Sequence, residues 1–149
     1  MYKTTVKAVF QDPKLLQEHE VSGWVRTFRS NRFIALNDGS TLNNLQCVVD
    51  FETLDPDLLK RITTGSALRL RGTLVESQGR GQRFELQVSA LDILGDADPD
   101  KYPIQPKKHT MEFLREQAHL RIRTNTFGAV MRIRSAVSFA VHQYFTSNG

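Results

Sequence analysis

Between residues 21 and 94 apolar side chains recur at every second position in run after run, and that period of two constrains the fold more than any other feature of the chain. A strand sends successive side chains to opposite faces, so each run has one face for a core and one for other work. Residues 21–29 put Val21, Gly23 and Val25 on one face and Ser22, Trp24 and Arg26 on the other. Ser30-Asn31 reads as a tight turn into residues 32–37, where Ile34 and Leu36 share one face and Phe33 and Ala35 the opposite one. Asp38-Gly39 is a turn signal followed by a polar loop through Asn43-Asn44. Residues 45–49 then point Leu45, Cys47 and Val49 inward and Gln46 and Val48 outward. Residues 55–63 switch to helical spacing, with Asp55 as N-cap, Pro56 at the first helical position and Gly65 as the stop. Residues 67–75 return to strand, with Leu68, Leu70, Gly72 and Leu74 inward and Arg69 and Arg71 outward. After a hairpin loop at 79–82, residues 83–94 form the last strand, with Phe84, Leu86 and Val88 inward.

Three strands, a helix and two strands within about 75 residues is the layout of the OB-fold, a mainly β, five-stranded Greek-key barrel with a helix between strands 3 and 4. An isolated glycine in each long strand, Gly23 and Gly72, suits a small and strongly curved barrel. A split sandwich tolerates the same periodicity. Residues 4–11 fit either a short helix or an edge strand. The pattern predicts three parts: a barrel over residues 1–95, a linker over 96–110 and helices over 111–149. The linker segment GDADPDKYPIQPKKH holds three of the five prolines and no period, so it is expected to be ordered only by docking. A first helix is expected over 111–117 and a longer one from Asn125-Thr126 through Tyr144. Along the longer helix Phe127, Val130, Ile133, Val137, Val141 and Tyr144 fall three and four apart, a single apolar stripe. The stripe exceeds what a small barrel can cover and calls for downstream chain, a second subunit, or both.

Charge is unevenly distributed. Residues 1–98 carry 12 Lys and Arg against 13 Asp and Glu, a net −1, while residues 99–149 carry 8 against 3, a net +5. Recognition of an anionic partner by the barrel must therefore rest on locally placed groups rather than a long-range field. The one cysteine, Cys47, excludes an internal disulfide and reads as a buried strand thiol in a reducing compartment. No apolar run approaches the roughly 20 residues a membrane span needs. The start, MYKTTVKAVFQDPK, lacks the apolar core of a signal peptide. A cytoplasmic location with no membrane partner is expected.

The outward strand positions carry the chemistry. Phe33 on the second strand, Gln46 on the third, Glu85 on the fifth and Arg29 at the end of the first are assigned to one exposed face. An exposed aromatic beside an amide, an arginine and a carboxylate is a platform for unstacked bases. Phe33 can stack on a base, a contact of about 1–3 kcal/mol. Gln46 offers the donor and acceptor that uracil presents in reverse, Glu85 accepts from guanine's adjacent N–H groups, and Arg29 can bond a base or a phosphate. The bland alternative is a solvated strand face on which one outward Phe is commonplace. The four histidines, His19, His109, His119 and His142, lack metal-ligand spacing, and 79–81 lacks the strand and helix frame of a P-loop. Arg80 reads as part of a mobile loop tip, with a phosphate contact as the alternative. No residue is assigned a catalytic role.

The run GWVRTFRSNRFIALNDGSTLNNLQ resembles the anticodon-binding OB domain shared by aspartyl-, asparaginyl- and lysyl-tRNA synthetases, which belong to class II. The resemblance implies that the second anticodon base, a uracil, stacks on Phe33 and is read by Gln46 and Arg29, and that Glu85 faces the first base. Arg26, Asn31 and Arg32 are further candidates for RNA contact. The turn after Arg29 is shorter than that family's usual loop. YPIQPKKHTMEFLREQAHLRIRTNTFGAV is similar to the asparaginyl branch, and the helix after it to the first part of motif 1, which builds the dimer interface in that family. The resemblance thus implies a GUU anticodon, tRNA(Asn) as partner and a homodimer through the stripe of residues 127–144. It also implies a parent ligase that activates asparagine with ATP and Mg²⁺, of which this stretch supplies recognition and is itself inactive. Two other readings remain: a stand-alone OB-type binder of single strands without anticodon preference, and a dimerisation module for which the barrel is a scaffold.

Overall fold

The computed structural model describes residues 2–50, 52, 55–77, 79 and 81–149, residues 2 and 3 by backbone alone. Residue 80, singled out above, lies outside the described residues. The chain forms two compact units, residues 1–107 and residues 108–149.

In the first unit the elements run β1 (Tyr2–Lys3), α1 (Val6–Gln11), β2 (Glu18–Arg29), β3 (Phe33–Asn37), β4 (Leu45–Val48), α2 (Pro56–Lys60), β5 (Ala67–Glu76) and β6 (Phe84–Gly95). Strands β2 to β6 pair in the order β2-β3-β4-β6-β5, and β5 pairs back onto β2, which closes the barrel. Every pairing in the ring is antiparallel except β4 with β6. The closed OB-type barrel is the alternative realised over a sandwich, and closure leaves none of these five strands as an edge. The helix between β4 and β5 is modest, five residues against the nine expected from sequence. Asp55 caps it by accepting Asp57 N–H, with Pro56 in its first turn.

The inward set is the one the alternation selects. Val21, Val25, Ile34, Leu36, Leu45, Cys47, Leu68, Leu70, Leu74 and Leu86 form one buried cluster, which Val6 and Val9 of α1 complete. Two strand glycines stand where the neighbouring backbone leaves no room for a Cβ. A Cβ on Gly72 would lie 2.0 Å from the carbonyl oxygen of Gln87 on β6, and one on Gly23 would lie 2.4 Å from that of Asn37. Burial pushes the Cys47 thiol well above its ordinary pKa, which suppresses the nucleophilic thiolate. Cys47 is expected to resist iodoacetamide at pH 8 in the native chain and to react fully once urea unfolds it. Mass spectrometry reads the adduct, and rapid native labelling would contradict the core placement.

Residues 4–11, undecided from sequence, are helical from Val6. Thr5 caps the helix by accepting Ala8 N–H, and two side chains of the β3–β4 loop take the next free donors. Asp38 Oδ2 accepts Val6 N–H (2.9 Å) and Ser40 Oγ accepts Lys7 N–H (2.9 Å). These satisfy backbone groups that a helix start leaves without intrahelical partners. Residues 96–107 pack within the barrel unit. Arg61 makes a two-pronged contact with Asp96 (2.8 Å each), Thr63 Oγ1 donates to Ala97 O, and the Tyr102 ring lies over Gly65.

The second unit contains α3 (Met111–Glu116), a 3-10 turn (Arg121–Arg123) and α4 (Asn125–Asn148). Thr110 and Thr124 cap the two helices. Phe127, counted in the apolar stripe, is buried, with the Arg121 guanidinium 4.7 Å from its ring centroid. Val130, Ile133, Val137, Val141 and Tyr144 are exposed. Phe139 is exposed too, on the opposite side of the helix, so the exposed apolar positions are not confined to a single stripe. No helix among the described residues is long and apolar enough to cross a membrane.

Candidate nucleic-acid interface

The outer face of the barrel is set by register. Thr27, Ala35, Gln46 and Glu85 stand opposite one another across β2, β3, β4 and β6, forming one row. Arg29, Phe33, Val48 and Gln87 form the next. Rows two residues apart along a strand are separated by roughly 7 Å. The four residues selected from sequence thus occupy two adjacent rows of one face.

Arg29 reaches that face through an irregularity. Continuing the alternation of Val21, Gly23 and Val25 would turn residue 29 inward. A register shift between Val25 and Thr27 inserts Arg26 as an extra residue, so Thr27 and Arg29 face out and Phe28 turns toward the core. A bulge of this kind re-aims every side chain after it. The turn that follows holds the end of the strand. Ser30 and Asn31 take φ of 53° and 50°, and Arg32 N–H closes on Arg29 O at 3.0 Å. Paired left-handed residues suit a tight hairpin, because their twist matches that of the strands.

Phe33 is half-buried between exposed Arg32 and fully buried Ile34, with the Arg32 guanidinium 5.9 Å from its ring centroid. Val48, at the outward position opposite Phe33, is not exposed as expected but buried at 6%. In the other row the small side chain of Ala35 leaves the floor open between Thr27 and Gln46. A groove of about 640 Å³ lies here, floored by Thr27, Arg29, Ala35 and Gln46 and edged by Asn43, Asn44, Gln82 and Arg83. Phe33 and Glu85 stand on the same face without lining this groove. The polar β3–β4 edge is built by buried Asn37, whose Nδ2 donates to Thr41 O, Asn43 O and Asn44 Oδ1 at 3.0–3.2 Å.

Gln46 and Glu85 are in contact: Nε2 of Gln46 donates to Glu85 Oε2 at 3.5 Å. An ionised carboxylate only accepts, so the amide must turn its nitrogen to Glu85, which leaves its carbonyl oxygen for the groove. Glu85 also accepts from Ser77 Oγ (3.0 Å) and from Gln87 Nε2 (2.8 Å). Sequence reasoning missed Ser77, which stands beyond the alternating part of β5. Gln87 was visible in the alternation as Glu85's outward neighbour.

Five of the arginines fall into three groups. On β5, Arg71 is held by Glu20 (2.9 Å) and both Arg69 and Arg71 approach Asp92 (3.9 Å). The hydrogen bond that Arg71 donates to Glu20 raises the Arg71 pKa above its ordinary value. Among the described residues no such ion pair engages Arg29 or Arg32, so their charge is available to a ligand. Arg26 lies apart, in a cavity of about 130 Å³ with Tyr102, Gln105 and Pro106. Burial lowers its pKa, with Tyr102 acting in the opposite sense. Asn31 is exposed at the hairpin tip.

Comparison with known proteins matches residues 19–94 to the tRNA anticodon family of OB-fold nucleic acid binding domains. The chain is 51% identical over its whole length to an asparagine–tRNA ligase of Porphyromonas gingivalis, of which it covers 32%. It is 55% identical over 132 residues, 87% of its length, to one of Parabacteroides distasonis, of which it covers 28%. The chain thus spans about a third of the length of the curated relatives it matches. Among solved structures, an asparaginyl-tRNA synthetase of Pyrococcus horikoshii complexed with asparaginyl-adenylate superposes with a TM-score of 0.81 at 20% identity, covering all of this chain and 35% of that one.

Proposed function

From the premise that this chain belongs to the tRNA anticodon family of OB-fold nucleic acid binding domains, we propose that it is the anticodon-reading part of an asparagine–tRNA ligase and that its ligand is the GUU anticodon of tRNA(Asn). The observation that carries the reading is the pair of adjacent outward rows holding Arg29, Phe33, Gln46 and Glu85 beside an open groove. In this reading the uracil at the second anticodon position stacks on Phe33. Its edge pairs with the free oxygen and remaining N–H of Gln46, and the Arg29 fork bonds the base or its phosphate. Glu85 accepts from the N–H groups of the guanine at the first position. Arg32 and Asn31, at the turn, suit the RNA backbone, whereas half-buried Arg26 suits it less. Residues 1–95 act as the recognition domain, 96–110 as the hinge and 111–149 as the leading helices of the catalytic core. The exposed apolar positions Val130, Ile133, Val137, Val141 and Tyr144 of α4 would be covered in a homodimer. Asparagine activation, with the ATP and Mg²⁺ it uses, is assigned to the part of the relatives that this chain does not span, and the whole protein to the cytoplasm.

Calorimetric titration of the chain with anticodon stem-loops at one fixed salt concentration tests the reading. A GUU loop is expected to bind more tightly than loops with a replaced anticodon base, by about 1–3 kcal/mol for each base that loses its hydrogen-bond partners. Equal binding of GUU and scrambled loops would replace the reading with that of a general single-strand binder.

A further inference from the structure

The carboxylate of Glu85 stands in an arrangement more elaborate than an exposed strand residue needs. Its Oε2 accepts from Ser77 Oγ at 3.0 Å and from Gln46 Nε2 at 3.5 Å, and its Oε1 accepts from Gln87 Nε2 at 2.8 Å. The Ser77 hydroxyl is itself fully engaged. It lies 3.1 Å from Gly79 N and 3.2 Å from Gln82 Nε2, both of which can only donate. A hydroxyl has one proton and two lone pairs, so both lone pairs are taken and its proton must point to Glu85. Ser77 is fixed in turn by the hairpin, where its N–H donates to Arg83 O at 3.0 Å. The direction of this hydroxyl is therefore set by its contacts with Gly79 and Gln82, and the hydroxyl holds one oxygen of Glu85 while Gln87 holds the other.

We infer that Ser77 is a positioning residue for base selection: it holds Oε2 of the Glu85 carboxylate so that the lone pair left on Oε1 faces the paired N–H donors of a purine edge. The inference rests on the reading of Glu85 given above and adds that the acid does not select alone. Without the Ser77 donor, Oε2 keeps only the long Gln46 contact, and the carboxylate can rotate toward Gln87 and solvent. Selection is lost before binding is, because Phe33 and Arg29 are untouched.

The test uses the 149-residue chain and two stem-loops that differ at one atom group, with guanine or inosine at the first anticodon position. Inosine keeps the ring N–H and lacks the exocyclic amine, so the affinity ratio reports the second carboxylate contact. The unaltered chain is expected to prefer guanine, Ser77→Ala to reduce that preference about three- to tenfold, and Ser77→Thr, which keeps a hydroxyl, to retain most of it. Equal affinity of the unaltered chain for the two loops overturns both the reading of Glu85 and this inference. A preference that survives Ser77→Ala undiminished overturns the inference alone. If Ser77→Ala does not fold, Gln82→Ala carries the test. It removes a donor that directs the hydroxyl, and it is expected to lower the preference at least twofold, an unchanged ratio counting against the inference.

Discussion

Replacing Gly72 with alanine is expected to destroy the barrel. The new Cβ would stand 2.0 Å from the Gln87 carbonyl oxygen and 2.9 Å from Val88 Cα, both backbone atoms of the neighbouring strand. No rotamer relieves a clash with backbone, so β5 and β6 must move apart by more than an ångström along their most extensive pairing. That separation breaks ladder hydrogen bonds and opens the core around Leu70, Leu74 and Leu86. The expected loss exceeds about 4 kcal/mol, a large share of the roughly 5–15 kcal/mol that holds a typical domain folded. Urea denaturation followed by circular dichroism measures it, with Thr73→Ala on the half-buried neighbouring position as a mild control. A midpoint within error of the unaltered chain would mean that the strands do not approach as described.

Phe33→Ala carries the largest expected effect on binding. Loss of the stacking surface is expected to cost about 1–3 kcal/mol, roughly five- to 150-fold in affinity for the GUU stem-loop, with Phe33→Tyr close to the unaltered chain. Stability should change little, because Ile34 and Leu36, not Phe33, face the core. Titration calorimetry at fixed salt separates the two effects. Unchanged affinity of a folded Phe33→Ala chain would end the stacking role.

The barrel was legible in the sequence because its core follows one local rule: Leu68, Leu70 and Leu74, or Ile34 and Leu36, alternate without exception. What escaped the rule depends on distant parts of the chain. Alternation carried on from Val21 would send residue 29 inward, and only the register shift at Arg26, visible once β2 pairs with β3, turns it out. The state of residues 4–11 was undecidable because its deciding groups, Asp38 and Ser40, lie 32 and 33 residues further on. Val48 has an outward parity and is buried nonetheless, which no period reports. Phe33, Gln46 and Glu85 could be singled out as residue types on outward positions, but the contact between Gln46 and Glu85 required β4 and β6 to pair. Ser77 gave no signal, since its significance comes from a hydroxyl whose direction the hairpin fixes.

The place of β6 between β4 and β5 makes closure of the ring wait for the end of the barrel sequence. β6 is the last strand of the ring in chain order, and it enters between two strands that precede it rather than adding to one side. Without residues 84–95, β4 and β5 each keep one unpaired edge, and the ring cannot close. Gln46 and Glu85, 39 residues apart in sequence, meet in that same final insertion. A chain interrupted short of β6 would therefore lack both the closed ring and the contact between Gln46 and Glu85, and would display unpaired strand edges to its neighbours instead.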